Sequence, residues 1–387
     1  MFTENDYQLF EKRNVTVDKV NEQLSCLREG FPFLKIMDAA SVDRGIVRAD
    51  ESRLESAVKA WQEYCAEGHR VVKFVPASGA ASRMFKNLFA FMDGLSDVPV
   101  TDFEKLFFDH IEYFAFFPSL DEACLRLYGS DVKTLISEHR HKEVIAALLG
   151  REGLNYGQMP KGLLEFHAYD EEPPRTPMEE HLVEGALYAK DSDGVVHIHF
   201  TVSPEHRALF GKKLSEVASR YEHRYGVLYD VTFSEQKAST DTIAMDAEGN
   251  PFRDKEGMLV FRPGGHGALI ENLNELRADI VFIKNIDNVV PDRLKGDTVR
   301  YKQLLAGMLV QLQEKAFRYL RLLDSGAYTD GDLSEMIRFL EQEFFCFSPW
   351  FKADSVESDS KAAVVGYLQK KLNRPMRVCG MVRNVGE

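Results

Sequence analysis

Cysteine is scarce: Cys26, Cys65, Cys124, Cys346 and Cys379 are spread over 387 positions, with no CxxC pair. An odd, scattered set of five excludes a disulfide framework and a zinc ribbon, and it points to a reducing compartment. Basic residues are in the minority as well. Lys and Arg total 48 against 61 Asp and Glu, a net charge of -13. Neither a nucleic acid nor an anionic membrane is therefore an expected partner. No stretch reaches the roughly 18 uninterrupted apolar residues of a membrane span. The opening residues include Glu4 and Asp6 and no apolar run, so a secretory signal is not expected. A cytoplasmic protein is the expectation. Apolar residues make up 44% and charged ones 28%, enough for a sizeable core, and the length suits about two or three units at roughly 150 residues each.

Residues 1–68 read as a helical, charged N-terminal extension. The run Val71-Val72-Lys73-Phe74-Val75 is β-branched and apolar, and predicts a buried strand. Small residues follow it, from Ala77 to Ser82, and Arg83-Met84-Phe85 opens a helix. Residues 87–150 form a helical insertion. Within it, Phe107, Ile111, Phe114 and Phe117 fall at helical spacing. Such a stripe is core or, in the alternative, the contact of a homo-oligomer. After a polar, proline-rich loop at 170–177, a helix runs to about Lys190. From Val195 strands and helices alternate: strands at 195–202, 226–233 and 278–283, helices at 204–221 and 267–276. This pattern predicts an α/β fold, a mostly parallel mixed sheet with helices on both faces and large helical additions. The core spans 69–296. Residues 297–387 read as helices leading into a final strand, Met376 to Val382.

Three segments carry chemistry. In Pro263-Gly264-Gly265-His266-Gly267 the glycines allow close backbone approach, and the helix after them offers free N–H groups and a positive dipole end. The strand at 278–283 ends in Asn285-Ile286-Asp287-Asn288. Ligands of open α/β sheets sit beyond such carboxyl ends, and a lone carboxylate there suits Mg2+. The small residues Ser78, Gly79, Ala80, Ala81 and Ser82 could admit a nucleotide, with Arg83 forking onto a phosphate. This is not a Walker A loop, because the Gly-Lys-Ser/Thr ending is missing. Lys161, in Pro160-Lys161-Gly162, is a cation held in a tight turn. Taken singly, each has a plainer reading: a tight turn, an Asx turn, close helix–strand packing, a solvated lysine. His197, His199 and His206 sit near one another in sequence without a convincing further metal ligand.

Together and in order, these segments resemble the UDP-sugar pyrophosphorylases, UTP-dependent sugar-1-phosphate uridylyltransferases of GT-A type, and within that superfamily a bacterial branch. Pro263 to Gly267 resembles the family's Pro-x-Gly-His-Gly turn, and Asn285 to Asn288 is similar to its Asn-x-Asp-Asn strand end. Pro160-Lys161-Gly162 looks like its Pro-Lys-Gly, Ser78 to Met84 is similar to its Gly-Gly-x-Gly-Thr-Arg-Leu loop, and Phe233-Ser234-Glu235-Gln236 looks like its glutamine-bearing strand end. The resemblance implies a nucleotidyltransferase acting on a nucleoside triphosphate and a sugar phosphate, with Mg2+ as cofactor. It places Arg83 on the phosphates, Lys161 at the transferred phosphate, Gln236 and Gly265 near the base, His266 near phosphate or sugar, and Asp287 on Mg2+. Ser78 to Ser82, Gly264, Gly267 and Asn285 would complete the substrate contacts.

The chain also departs from that pattern. Only Gly79 of the first loop's glycines is kept, and a Cβ at Ala81 is expected to crowd the nucleotide. Between Arg83 and Pro160 lie 76 residues of aromatic-rich helix. The sequence closes with Arg383 to Glu387 directly after its final expected strand, so part of the sugar site is expected to be missing. These departures keep a second class open, a non-catalytic nucleotide or nucleotide-sugar binding protein on the same scaffold. A third is an interaction protein built on the aromatic helices.

Overall fold

Val71–Pro76 (β1) is buried at every position, as a β-branched run in the middle of a sheet requires. In the computed structural model, which describes residues 2–33, 36, 38–358 and 360–382, it pairs with Val195–Val202 (β2) and Ile280–Ile283 (β4). Leu228–Glu235 (β3) completes a sheet of order β3-β2-β1-β4, parallel throughout. The sheet is thus not mixed. Antiparallel strand pairing is confined, among the described residues, to the small pair Thr242–Ile243 and Phe261–Arg262. The chain steps outward from β1 to β3 and then returns to β1's other side. The order reverses between β1 and β4, and open α/β sheets take their ligands in the crevice at the carboxyl ends of the strands flanking such a reversal.

Helices cover both faces. Pro177–Tyr188, called here the central helix, and Arg207–Tyr225 pack Met178, Leu182, Phe210 and Val217 against Val196, Ile198 and Phe200. On the opposite face, set by strand alternation, Phe74 stacks on His199 and Asn272 of the short helix Ile270–Asn274 reaches Ser234.

The chain separates into two units. The first joins Met1–Pro32 with Arg70–Lys295, and the second joins Phe33–His69 with Gly296–Glu387. The first 68 residues are accordingly divided between the units rather than forming one extension. In the first unit, helices Glu4–Arg13 and Val17–Glu29 share a core with Ile243 and Leu259. Asp6 locks the arrangement through both oxygens onto Arg253, at 2.9 and 2.7 Å. The Arg253 hydrogen bonds lower the Asp6 pKa from 3.8 to about 2, against the opposing effect of burial. A depressed carboxyl stabilises above its unfolded pKa and loses that contribution as pH falls through its folded one. Amide protection factors in residues 4–29 should therefore fall as pH drops from 3.8 toward about 2, and Asp6→Asn should show low protection already at neutral pH. Equal protection in parent and variant would show that the pair does not anchor these helices.

The insertion is not one helix but five short ones between Lys86 and Leu149, with a core of its own including Phe107, Phe108, Ile111 and Leu120. Phe107 and Ile111 take the core reading of the aromatic stripe, while Phe114 remains 39% exposed. The second unit is helical, built on Glu51–Ala66, Lys295–Ser325, Asp330–Gln342 and Lys361–Leu372. A Cβ on Gly307 would lie 1.8 Å from the Ala57 carbonyl oxygen, so two of these helices touch backbone to backbone.

Met376 to Val382 is not a strand. Pro375 precedes the segment and Gly380 interrupts it, and Met376 packs onto the helical core instead. β-Propensity without a partner strand does not make one. Residues 383–387 lie outside the described residues. Among those described, no helix is long and apolar enough to cross a membrane.

Candidate phosphate-binding crevice

Beyond β1 the chain turns sharply. The Ala77 amide donates to the Thr201 carbonyl, and Ser78 to Ala80 run exposed into a short 3-10 turn, Ala81–Arg83. This loop is laced to the Pro160 turn: the Ala81 amide donates to the Met159 carbonyl at 3.3 Å, and the Lys161 amide to the Gly79 carbonyl at 3.1 Å. Two of the sequence-predicted segments are thereby one structural piece. The Ala81 methyl is fully buried in the insertion's core with Phe85 and Leu88. It does not crowd the crevice, contrary to the expectation for a Cβ there. Gly79 and Ser82 face solvent, and Arg83 is exposed, with no acid paired to it among the described residues.

On the other wall, β4 continues along β1 past its formal end. The Lys284 amide donates to the Phe74 carbonyl and the Ile286 amide to the Pro76 carbonyl. Alternation then buries Lys284 and Ile286 and leaves Asn285 and Asp287 exposed. Gly162 lets the opposite turn close on this strand end, since a Cβ would come within 2.9 Å of Ile286 Cγ1 and 2.7 Å of Phe210 Cζ. As a result Lys161 Nζ stands 2.8 Å from Asp287 Oδ2. Burial would raise the Asp287 pKa, but Lys161 outweighs it and holds the carboxyl below its ordinary value, with His266 acting the same way. Lys161 and His266 thus stand close to Asp287, and Arg83 ends the loop that is laced to the Lys161 turn.

The remaining predicted residues form a second group. A Cβ on Gly264 would sit 2.7 Å from Ala268 Cβ and 3.7 Å from Gln236 Nε2, so the glycine permits the close approach. Gln236 donates its amide to Asp241. Gly265, His266 and Gly267 are exposed. The expected helix dipole is absent as a device: His266–Leu269 is a 3-10 turn and the helix after it has five residues, too short for an aligned array of peptide dipoles.

A metal at Asp287 has one protein carboxylate to use. Among the described residues no group of three His, Cys, Asp or Glu could hold a metal ion. A lone, half-exposed carboxylate at a strand end fits Mg2+, which fills its octahedron with water and phosphate oxygens. The histidines are engaged separately. His197 lies between Asp191 and Asp230, His199 between Thr232 and Ser234, and His206 between Ser203 and the Gln158 carbonyl.

What sequence reading missed is under the floor. The central helix buries Glu179, Glu180, His181 and Glu184. Glu184 takes Lys284 at 2.7 Å, Lys73 at 3.0 Å and the Tyr188 hydroxyl at 3.0 Å. Its pKa is held well below the carboxylate range, because the surrounding positive charge overcomes the effect of burial. His181 is kept neutral by full burial, reinforced by Lys73. Its Nε2 lies 3.2 Å from the carbonyls of both Asn285 and Ile286, so Nε2–H donates and braces the strand end that carries Asp287. The available signals were Lys73, a charge inside an otherwise apolar strand, and Thr176-x-x-Glu179, a capping box opening the helix.

A family model described as a domain of unknown function, DUF4301, matches residues 3–387. The chain belongs to the DUF4301 family. No curated protein and no solved structure matches this DUF4301 chain.

Proposed function

We propose that this DUF4301 chain is a Mg2+-dependent nucleotidyltransferase that joins a nucleoside triphosphate, UTP by resemblance, to a sugar 1-phosphate and releases pyrophosphate. The observation that carries the reading is the strand end at the reversal of strand order, where Lys161 and His266 stand close to a single carboxylate, Asp287, and the loop bearing Arg83 is hydrogen-bonded to the Lys161 turn. Phosphoryl-group chemistry asks for little else: cations and fixed dipoles around crowded negative oxygens, with no protein nucleophile. A sugar-phosphate oxygen attacks the α-phosphorus in line. The bond to the bridging oxygen breaks, and its electron pair leaves with pyrophosphate. Arg83 binds the triphosphate, Lys161 neutralises the transferred phosphate, and Gln236 and Gly265 lie at the base. Mg2+, when bound at Asp287, supplies charge neutralisation of the phosphate oxygens.

Pyrophosphate release from UTP, Mg2+ and a panel of sugar 1-phosphates tests the reading, and it requires a nucleotide sugar to appear in equal amount. Arg83→Ala should weaken triphosphate binding by about 1.5–3 kcal/mol, the worth of a hydrogen bond to a charged group, measured by calorimetry. Unaltered affinity would remove the first loop as the phosphate cradle. The replacement of the family's loop glycines by Ser78, Ala81 and Ser82 favours a second reading, a binding protein without turnover. That reading predicts nucleotide binding with no product.

A further inference from the structure

Lys161 and Asp287 occupy each other. Their backbones are fixed, Lys161 by the hydrogen bond its amide donates to the Gly79 carbonyl and by the tight packing at Gly162, Asp287 by the extension of β4 along β1. Only the side chains can part, and these are 26% and 40% exposed. A partly exposed pair is held weakly, unlike the wholly buried Lys73–Glu184 pair. A dication approaching Asp287 by itself meets the Lys161 ammonium on the carboxylate oxygen it needs, with the imidazole of His266 close by. A polyphosphate approaching Lys161 offers that ammonium another anion.

Resting on the reading above, we infer that Lys161 and Asp287 form an exchange pair. Phosphate oxygens draw Lys161 away and so release Asp287 to the metal. The crevice then takes a metal–polyphosphate complex as one ligand and has little affinity for the metal alone. Linkage makes the effect reciprocal: whatever the phosphate does for metal affinity, the metal does for phosphate affinity.

The test uses Mn2+ as a paramagnetic probe, counted by electron paramagnetic resonance on the full chain with no nucleotide present. The parent should bind Mn2+ weakly. Lys161→Met should bind it at least about tenfold more tightly, a gain of about 1.4 kcal/mol, and Lys161→Gln should do the same if Met disturbs the turn. Adding Asp287→Asn to either variant should remove the gain. Arg83→Met, which takes a cation from the loop laced to the Lys161 turn without freeing the carboxylate, should stay within about threefold of the parent. Equal Mn2+ affinity in parent and both Lys161 variants overturns the exchange pair. So does a gain that survives Asp287→Asn. Whether UTP binds or reacts is a separate readout, and its failure would sink the nucleotidyltransferase reading while leaving the Mn2+ comparison to decide the pair.

Discussion

Glu184→Gln is expected to be among the most destabilising single substitutions in the first unit, at about 3–5 kcal/mol. The side chain is fully buried and receives both Lys73 and Lys284. An amide keeps the shape and removes the charge, which leaves two ammonium groups facing each other across a dry interface. Breaking a buried ionic cluster by deleting one partner is costly because the survivors are uncompensated, whereas exchanging the whole cluster for apolar groups need not be. The triple variant Lys73→Met, Glu184→Leu, Lys284→Met should accordingly be more stable than Glu184→Gln alone. Urea denaturation of the three proteins checks this. A loss below about 1 kcal/mol for Glu184→Gln, the scale of an exposed pair, would contradict the account of the cluster. Because it ties the central helix to β1 and to the continuation of β4, its loss should also loosen the crevice.

The second large effect concerns function rather than stability. Asp287→Ala is expected to abolish the Mg2+ dependence of nucleotide binding and to reduce turnover to background, with the thermal unfolding of the chain little changed. The side chain is 40% exposed and outside the hydrophobic core, so its removal opens no cavity. Lys161 loses its partner but remains in reach of solvent, which limits the cost. Binding with and without Mg2+ in parent and variant is the measurement. An Asp287→Ala protein that still responds to Mg2+ as the parent does would take Asp287 out of the site.

The strands were legible where local chemistry and tertiary need coincide. Val195–Val202 and the run from Val71 are β-branched and apolar, and both are central strands. Met376 to Val382 has similar residues but lies in a helical unit, and propensity alone did not make it pair. The crevice was legible in pieces, because glycines and a strand-end acid mark turns from sequence alone. That Lys161 and Asp287, 126 positions apart, would touch is a product of the strand order and of Gly162, and no local pattern reports it. The buried charges were the least visible. Glu179, Glu180 and Glu184 look like one solvated helix face, and only their partners at Lys213, Lys295 and Lys284 reveal otherwise. The division of residues 1–68 between two units was equally hidden, since helices Val17–Glu29 and Glu51–Ala66 have similar amphipathic patterns but different cores.

The central claim is that the crevice binds a uridine nucleotide with Mg2+. Thermal unfolding of the whole chain against nucleoside triphosphates and nucleotide sugars, each with and without Mg2+, tests it most directly. A ligand at about 100 times its dissociation constant adds about 2.7 kcal/mol, enough to move the midpoint visibly. The account predicts a shift for uridine compounds that requires Mg2+ and is lost in Arg83→Ala. No shift with any nucleotide, at concentrations where Mg2+ is saturating, would contradict it.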